Sequence, residues 1–137
     1  MAKVKLTNPA DVVRSDDGLL SQEAIRTAEV PALVDTGATQ LVIPDEIRGQ
    51  LGLTIGGYRR VRNANGQVGK LPWVGVLLEV LGRSTLCDAL VEASGTQVLL
   101  GQTPLETLDL IVNPKSRDLL VNPQSPDLPL LEILASV

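Results

Sequence analysis

Residues 32–44 read Ala-Leu-Val-Asp-Thr-Gly-Ala-Thr-Gln-Leu-Val-Ile-Pro. An apolar run carries one carboxylate, Asp35, into a Thr-Gly turn, and a second apolar run, Leu41–Ile43, leaves it. Short aliphatic runs on both sides of a tight turn read as strands. The acid is therefore expected at the bottom of a loop rooted in a hydrophobic core. A charge in that position has to be paired, neutralised or used.

The rest of the chain extends this β reading. Ala2–Leu6 alternates as a first strand, and Asn8-Pro9 is expected to end it. Val12–Leu20 fits no single element, with Asp16-Asp17-Gly18 marking a turn. Ala24–Asp35 is read as the strand entering the acid turn. Pro44-Asp45-Glu46 resembles a helix start, and Gly52 its end. Gly56-Gly57 is read as a break. Tyr58–Asn63 and Gln67–Trp73 then form two arms around Ala64-Asn65-Gly66, where Asn-Gly is a strong hairpin signal. Val74–Val80 follows as a strand, and Gly82-Arg83-Ser84 turns into Thr85–Val91. Ser94-Gly95 turns into Val98–Leu100. Thr103 is read as the cap of a short helix that carries Pro104 at its first position and ends near Leu108. Leu110–Val112 and Leu119–Val121 are short strands.

These elements predict an all-β chain, a small closed β-barrel with one or two short helices. One domain is expected over residues 1–137, with its core at about 2–121 and a proline-rich tail at 122–137. The tail holds Pro123, Pro126 and Pro129; it is expected to run extended on the surface, with Leu130–Leu134 docked on the body.

Composition removes several alternatives. Apolar residues make up 44% of the chain, yet Trp73 and Tyr58 are its only aromatics, so the core has to be aliphatic. The formal charge of −4 argues against nucleic acid as a partner, since phosphate contacts need clustered Lys and Arg. No histidine is present, which excludes Ser-His and Cys-His catalysis and imidazole metal ligands. One cysteine, Cys87, can form neither an internal disulfide nor a thiolate metal cluster. Neither metal nor cofactor is expected. The first residues look like a strand rather than a signal peptide, and no apolar stretch is long enough to span a bilayer. A cytoplasmic protein without membrane contact is the expectation.

Two readings of Asp35 follow from the residues alone. It is either an Asx-turn acid that caps the Gly37 or Ala38 N–H, or a reactive carboxylate. Asn65-Gly66 is likewise either a plain hairpin turn or a functional loop. The basic run Tyr58-Arg59-Arg60-Val61-Arg62 reads as a solvated strand face, Trp73 as a core or edge anchor, and Cys87 as an inert buried thiol.

Asp35-Thr36-Gly37-Ala38 between apolar strands resembles the active-site segment of retropepsin-like aspartic proteases, and the resemblance continues downstream. A glycine-tipped hairpin at Asn65-Gly66 falls where those proteases carry a flap. Val98-Leu99-Leu100-Gly101-Gln102 is similar to the strand that precedes their C-terminal helix. The pattern spans roughly residues 24–112 and is most similar to small prokaryotic members. It departs from the family where Gln102-Thr103 follows Gly101 in place of Arg-Asp or Arg-Asn. It departs again in the proline-studded tail, which cannot donate ladder hydrogen bonds as the chain ends of viral members do.

The resemblance implies an aspartic endopeptidase in which two carboxylates activate one water. One acts as base and the other as acid, and the pair shares a proton. Only one Asp-Thr-Gly is present, so the second acid implies a homodimer with Asp35 facing its symmetry mate. Under this reading Asp35, Thr36 and Gly37 form the catalytic turn, with the Thr36 hydroxyl bonding across the dimer axis. Ala38, Asn65, Gly66 and Gln67 contact a peptide or protein substrate. The alternative from a different class is a non-catalytic peptide-binding or dimerisation module on the same barrel.

Overall fold

Strand β1 (Ala2–Thr7) turns Val4 and Leu6 inward, fully buried, and Lys3 and Lys5 outward. In the computed structural model, which describes residues 1–133, β1 opens a barrel whose remaining staves are β2 (Thr27–Val34), β3 (Leu41–Pro44), β5 (Val68–Val80), β6 (Arg83–Glu92) and β7 (Val98–Leu100). The hydrogen-bonded order is β1-β2-β7-β3-β6-β5, and β5 returns to β1 through Lys5↔Glu79, Leu6↔Leu78 and Thr7↔Leu77. That last ladder closes a six-stranded barrel. The β2–β7 and β3–β6 pairs are parallel and the rest antiparallel.

The interior is filled by Val4, Leu6, Ala32, Leu41, Ile43, Val74, Val76, Leu78, Ala89 and Leu100, with no aromatic side chain among the core residues. Aliphatic packing of this kind follows from the composition. Each fully buried Leu, Ile or Val is worth about 1.5–3 kcal/mol of transfer free energy. Helices α2 (Asp45–Leu51) and α3 (Gln102–Thr107) add Ile47, Leu51 and Leu105 to the same core.

Strand β4 (Ile55–Arg62) stands outside the ring. It pairs only with the first half of β5, from Ile55↔Val74 to Arg62↔Val68. Pairing of β5 with β6 begins only at Trp73↔Leu90, so the β4–β5 hairpin projects from the barrel as a two-stranded arm. At its tip the Asn63 carbonyl accepts the Gly66 N–H at 3.0 Å, and the Asn63 side-chain Oδ1 accepts the N–H groups of Asn65 and Gln67 at 3.0 Å each. Gly66 takes φ +79°. This is a three-residue loop ending in a left-handed glycine, rather than the two-residue turn that Asn-Gly most often makes.

Several elements differ from the sequence reading. Asn8-Pro9 does not merely end β1. It opens α1 (Pro9–Asp16), with the Asn8 side chain capping the N–H groups of Ala10 at 2.9 Å and Asp11 at 3.2 Å. Three short α-helices are therefore present among the described residues, not one or two, with a 3-10 turn at Gln22–Ala24. The strand expected over 24–35 starts only at Thr27. Gly56-Gly57 is not a break but lies within β4 at a register shift, beneath the Trp73 ring. The expected arm 67–73 and strand 74–80 merge into one strand, Val68–Val80, that passes through Pro72 in the half of β5 that has β4 as its only partner and so tolerates proline. The turn into β6 is Leu81-Gly82, both with positive φ, and Arg83 already belongs to the strand. The cap of α3 is Gly101, not Thr103, which puts Pro104 at the third helical position rather than the first.

After α3, strands β8 (Leu110–Val112) and β9 (Leu119–Val121) pair with each other. The buried Arg83 guanidinium donates to the carbonyls of Leu108 at 3.0 Å, Asp109 at 3.1 Å and Ser125, fastening this end of the chain to β6. Residues 122–133 form neither strand nor helix, with turns and bends over 123–128, and Leu130, Leu131 and Ile133 are exposed rather than docked. Leu134 lies outside the described residues. Among the described residues no helix is long and apolar enough to cross a membrane.

Candidate active site

The acid turn joins β2 to β3 and is anchored at both ends. β2 pairs with β7 through Val34↔Leu100, and β3 pairs with the same strand through Val42↔Leu99. The two halves of the loop are thus held by one short strand between them. Backbone bonds fix its interior. The Asp35 N–H donates to the Leu100 carbonyl at 3.0 Å, and the Ala38 N–H donates to the Asp35 carbonyl at 3.1 Å. The Asp35 carboxylate accepts the Gly37 N–H at 3.0 Å. The Asx-turn contact read from the sequence is therefore made, and it uses one lone pair of one oxygen.

Helix α3 completes the frame. Its first N–H groups have no helical partner and no side-chain cap. They donate instead to the loop, Gln102 to the Ala38 carbonyl and Thr103 to the Thr39 carbonyl, both at 2.8 Å. The approach is possible only because residue 101 is glycine. A Cβ there would lie 2.4 Å from the Gln40 carbonyl oxygen and 2.7 Å from that of Ala38. Gly101 is a residue the sequence reading used only as a motif letter.

Asp35 and Ala38 are half-buried, while Thr36 and Gly37 are exposed. The turn therefore presents its polar groups at the surface of a single chain. Gly37, Ala38, Thr39 and Gln40 line a cleft of about 370 Å³ whose opposite wall is Arg60, Val61 and Arg62 of β4. A neighbouring hollow of about 390 Å³ shares Val42, Val61, Arg62 and Leu90 with it and extends past Leu71 and Leu99. Together they make a groove between the acid loop and the projecting hairpin, with aliphatic side chains along much of its length.

The structure brings Gly37 and Ala38 to this groove but not Asn65 or Gly66. Those two are exposed at the hairpin tip, while Gln67 lines a further hollow with Val68 and Lys70 that shares Val61, Asn63, Leu71 and Glu92 with the second one and so continues the groove toward the tip. The stem of β4 faces the acid loop instead. Arg60 and Arg62, read from the sequence as a solvated face, are exposed and also line the cleft. Alternation gives exposure, but only the fold of the hairpin onto the barrel decides what the strand overlooks.

The other acids named from the sequence are engaged elsewhere. Asp45 pairs with Arg48 at 2.6 Å. Asp88 accepts from Gln40 at 3.0 Å and pairs with Arg59. Asp109 accepts from Asn122 and from the Leu130 N–H at 3.0 Å each, and from the Ser125 hydroxyl, which together hold its carboxyl down at about 2. Among the described residues no three or more His, Cys, Asp or Glu side chains are grouped to hold a metal ion. Cys87 is half-buried, and burial pushes its thiol up to about 11, so it is unreactive at neutral pH.

Comparison with known proteins adds to this geometry. The profile of the family described as "gag-polyprotein putative aspartyl protease" matches residues 22–107. That range runs from the 3-10 turn through the acid loop and the hairpin to the end of α3. No curated protein sequence matches the chain. Among solved structures, the solution structure of Simian Foamy Virus (mac) protease is similar, with 17% identity and a TM-score of 0.45, over 56% of this chain and 80% of that one. With its Asp-Thr-Gly-Ala turn, its closed barrel and a family match over well more than half of its length, the chain belongs to the retropepsin-like aspartyl proteases.

Proposed function

We propose that the protein is a homodimeric aspartic endopeptidase in which Asp35 of each copy supplies one of two catalytic carboxylates. The observation that carries this reading is the state of Asp35 itself. Its loop is fixed by backbone bonds, its carboxylate spends one contact on Gly37, and the other acids with a possible claim on it are tied to different partners. A half-buried carboxylate on a loop pinned by backbone bonds, with Asp45, Asp88 and Asp109 each bonded to other groups, suits a site divided over a two-fold axis.

In the assembled dimer the two carboxyls, about 3 Å apart, hold one proton between them. The ionised one takes a proton from the attacking water, while the protonated one donates to the scissile carbonyl oxygen. The Gly37 N–H keeps Asp35 oriented, and the Thr36 hydroxyl, exposed in the single chain, bonds across the axis. The substrate lies extended in the groove between residues 37–40 and β4, where Ala38 leaves room for its backbone and the β4–β5 hairpin acts as the flap.

Asp35→Asn tests the assignment. The variant should keep the melting temperature and dimeric size of the parent while losing at least a thousandfold in cleavage of a peptide library, and the parent's cleavage should be blocked by pepstatin. Undiminished hydrolysis by the variant would refute the mechanism. A stable monomer that binds peptides but leaves them intact from pH 3 to 8 would instead identify a non-catalytic peptide-binding module.

A further inference from the structure

Asp88 lies on β6, outside the acid turn, yet its Oδ2 joins two elements that the backbone leaves separate. It accepts the Gln40 Nε2 from the acid loop at 3.0 Å and pairs with the Arg59 guanidinium of β4. Arg59 in turn lies over the Trp73 ring, 5.1 Å from its centroid. The ring packs closely on Gly56 and Gly57, where an added Cβ would fall 2.5 Å and 2.9 Å from ring atoms. Arg59, Trp73 and the two glycines form the root of the projecting hairpin. Beyond Trp73, β4 and β5 have only each other as ladder partners, so side-chain contacts at this root set the hairpin's inclination.

We propose that Asp88 is a positioning residue that holds the hairpin at its working height over the acid loop. The proposal rests on the peptidase reading above, in which that hairpin closes over the substrate. The Arg59 and Asp88 side chains are 40% and 36% exposed. A lone ion pair so exposed adds little to folding stability. Its effect here is on geometry: one carboxylate receives charge-assisted bonds from the flap root and from the catalytic loop, and the guanidinium is also held by a ring face. Loss of the link should loosen substrate binding and leave the acid pair intact.

The experiment combines kinetics on a fluorogenic peptide with emission from Trp73, the only tryptophan in the chain. Asp88→Asn and Arg59→Gln are each expected to raise KM about tenfold with kcat within about twofold, the signature of lost binding rather than lost chemistry. The double variant should be no worse than Asp88→Asn alone, which already removes the contacts to both Arg59 and Gln40. Without substrate, Asp88→Asn, which leaves the guanidinium beside the ring, should shift the Trp73 emission and raise its acrylamide quenching. Unchanged KM and unchanged quenching overturn the proposal, as does a loss that appears in kcat or follows the melting temperature. If Asp88→Asn fails to fold, Asp88→Ser carries both readouts. The fluorescence arm needs no catalysis, so an inert wild-type protein would count against the peptidase reading while Trp73 still decides the role of Asp88.

Discussion

Gly101 and Asp35 are set by opposite demands on the same loop. Asp35 has to be a carboxylate that the backbone holds still, and Gly101 has to be nothing more than backbone. With a Cβ 2.4 Å from the Gln40 carbonyl oxygen, Gly101→Ala would push the loop off the start of α3 and release the bonds from Gln102 and Thr103. Overpacking of this kind costs about 1–3 kcal/mol, which urea denaturation would measure. Because the clash falls on the loop that carries the proposed catalytic acid, cleavage should drop further than stability does, by about a hundredfold at a temperature where the variant is folded. Asp35 was legible in the sequence because a charge between apolar strands is conspicuous. Gly101 was not, since a glycine after a strand reads as a turn until the atoms it makes room for are in place.

At the scale of elements, α1 shows how a capping signal can be mistaken for a terminator. Asn8-Pro9 stops a strand and starts a helix with the same chemistry, an amide that accepts N–H groups and a ring pre-set for the first turn. What the sequence could not display is that the Asn8 Nδ2 also donates to the Leu51 carbonyl at 2.8 Å, closing the C-terminal end of α2 from 43 residues away. Asn8→Ala should therefore cost about 1–2 kcal/mol, toward the upper end of the range for a lost cap. Ser21→Ala should change stability by less than about 0.5 kcal/mol, since Ser21 precedes the 3-10 turn without making a side-chain cap bond. Chemical denaturation of the pair would show the contrast. The hairpin arms, by comparison, were readable from alternation and from Asn65-Gly66, while their direction over the acid loop depends on Trp73, Arg59 and Asp88, residues distant in sequence from Asp35.

For the whole molecule, two carboxylates outside the lining of the cleft make the stability of the fold depend on pH in acid. The Asp11 side chain is buried against Arg26, which bonds both of its oxygens and holds its carboxyl down at about 2, from an ordinary 3.8. Asp109, clasped by Ser125, Asn122 and the Leu130 N–H, is likewise held at about 2. Their contribution to stability is complete above pH ~4, where folded and unfolded chains are both ionised. Between about pH 4 and 2 the unfolded chain takes up protons that the folded one does not, so stability falls as pH falls. Thermal melts across this window should show that decline, and Asp11→Asn and Asp109→Asn should each flatten it. Activity that needs one shared proton, as proposed above, should peak on the acidic side, and the melts show how far that range overlaps the loss of stability. What the sequence determined on its own was local: aliphatic runs of strand length, the turn that holds Asp35, the hairpin, and a core without aromatic rings, all fixed by neighbours a few residues apart. Tertiary structure alone decided that β5 returns to β1 to close the ring, that α3 caps the acid loop through Gly101, and that β4 rather than the hairpin tip walls the cleft. Those outcomes depend on contacts between residues about 20 to 75 positions apart, from the acid loop facing β4 to β1 pairing with β5, and no local periodicity records which distant partner a strand will meet.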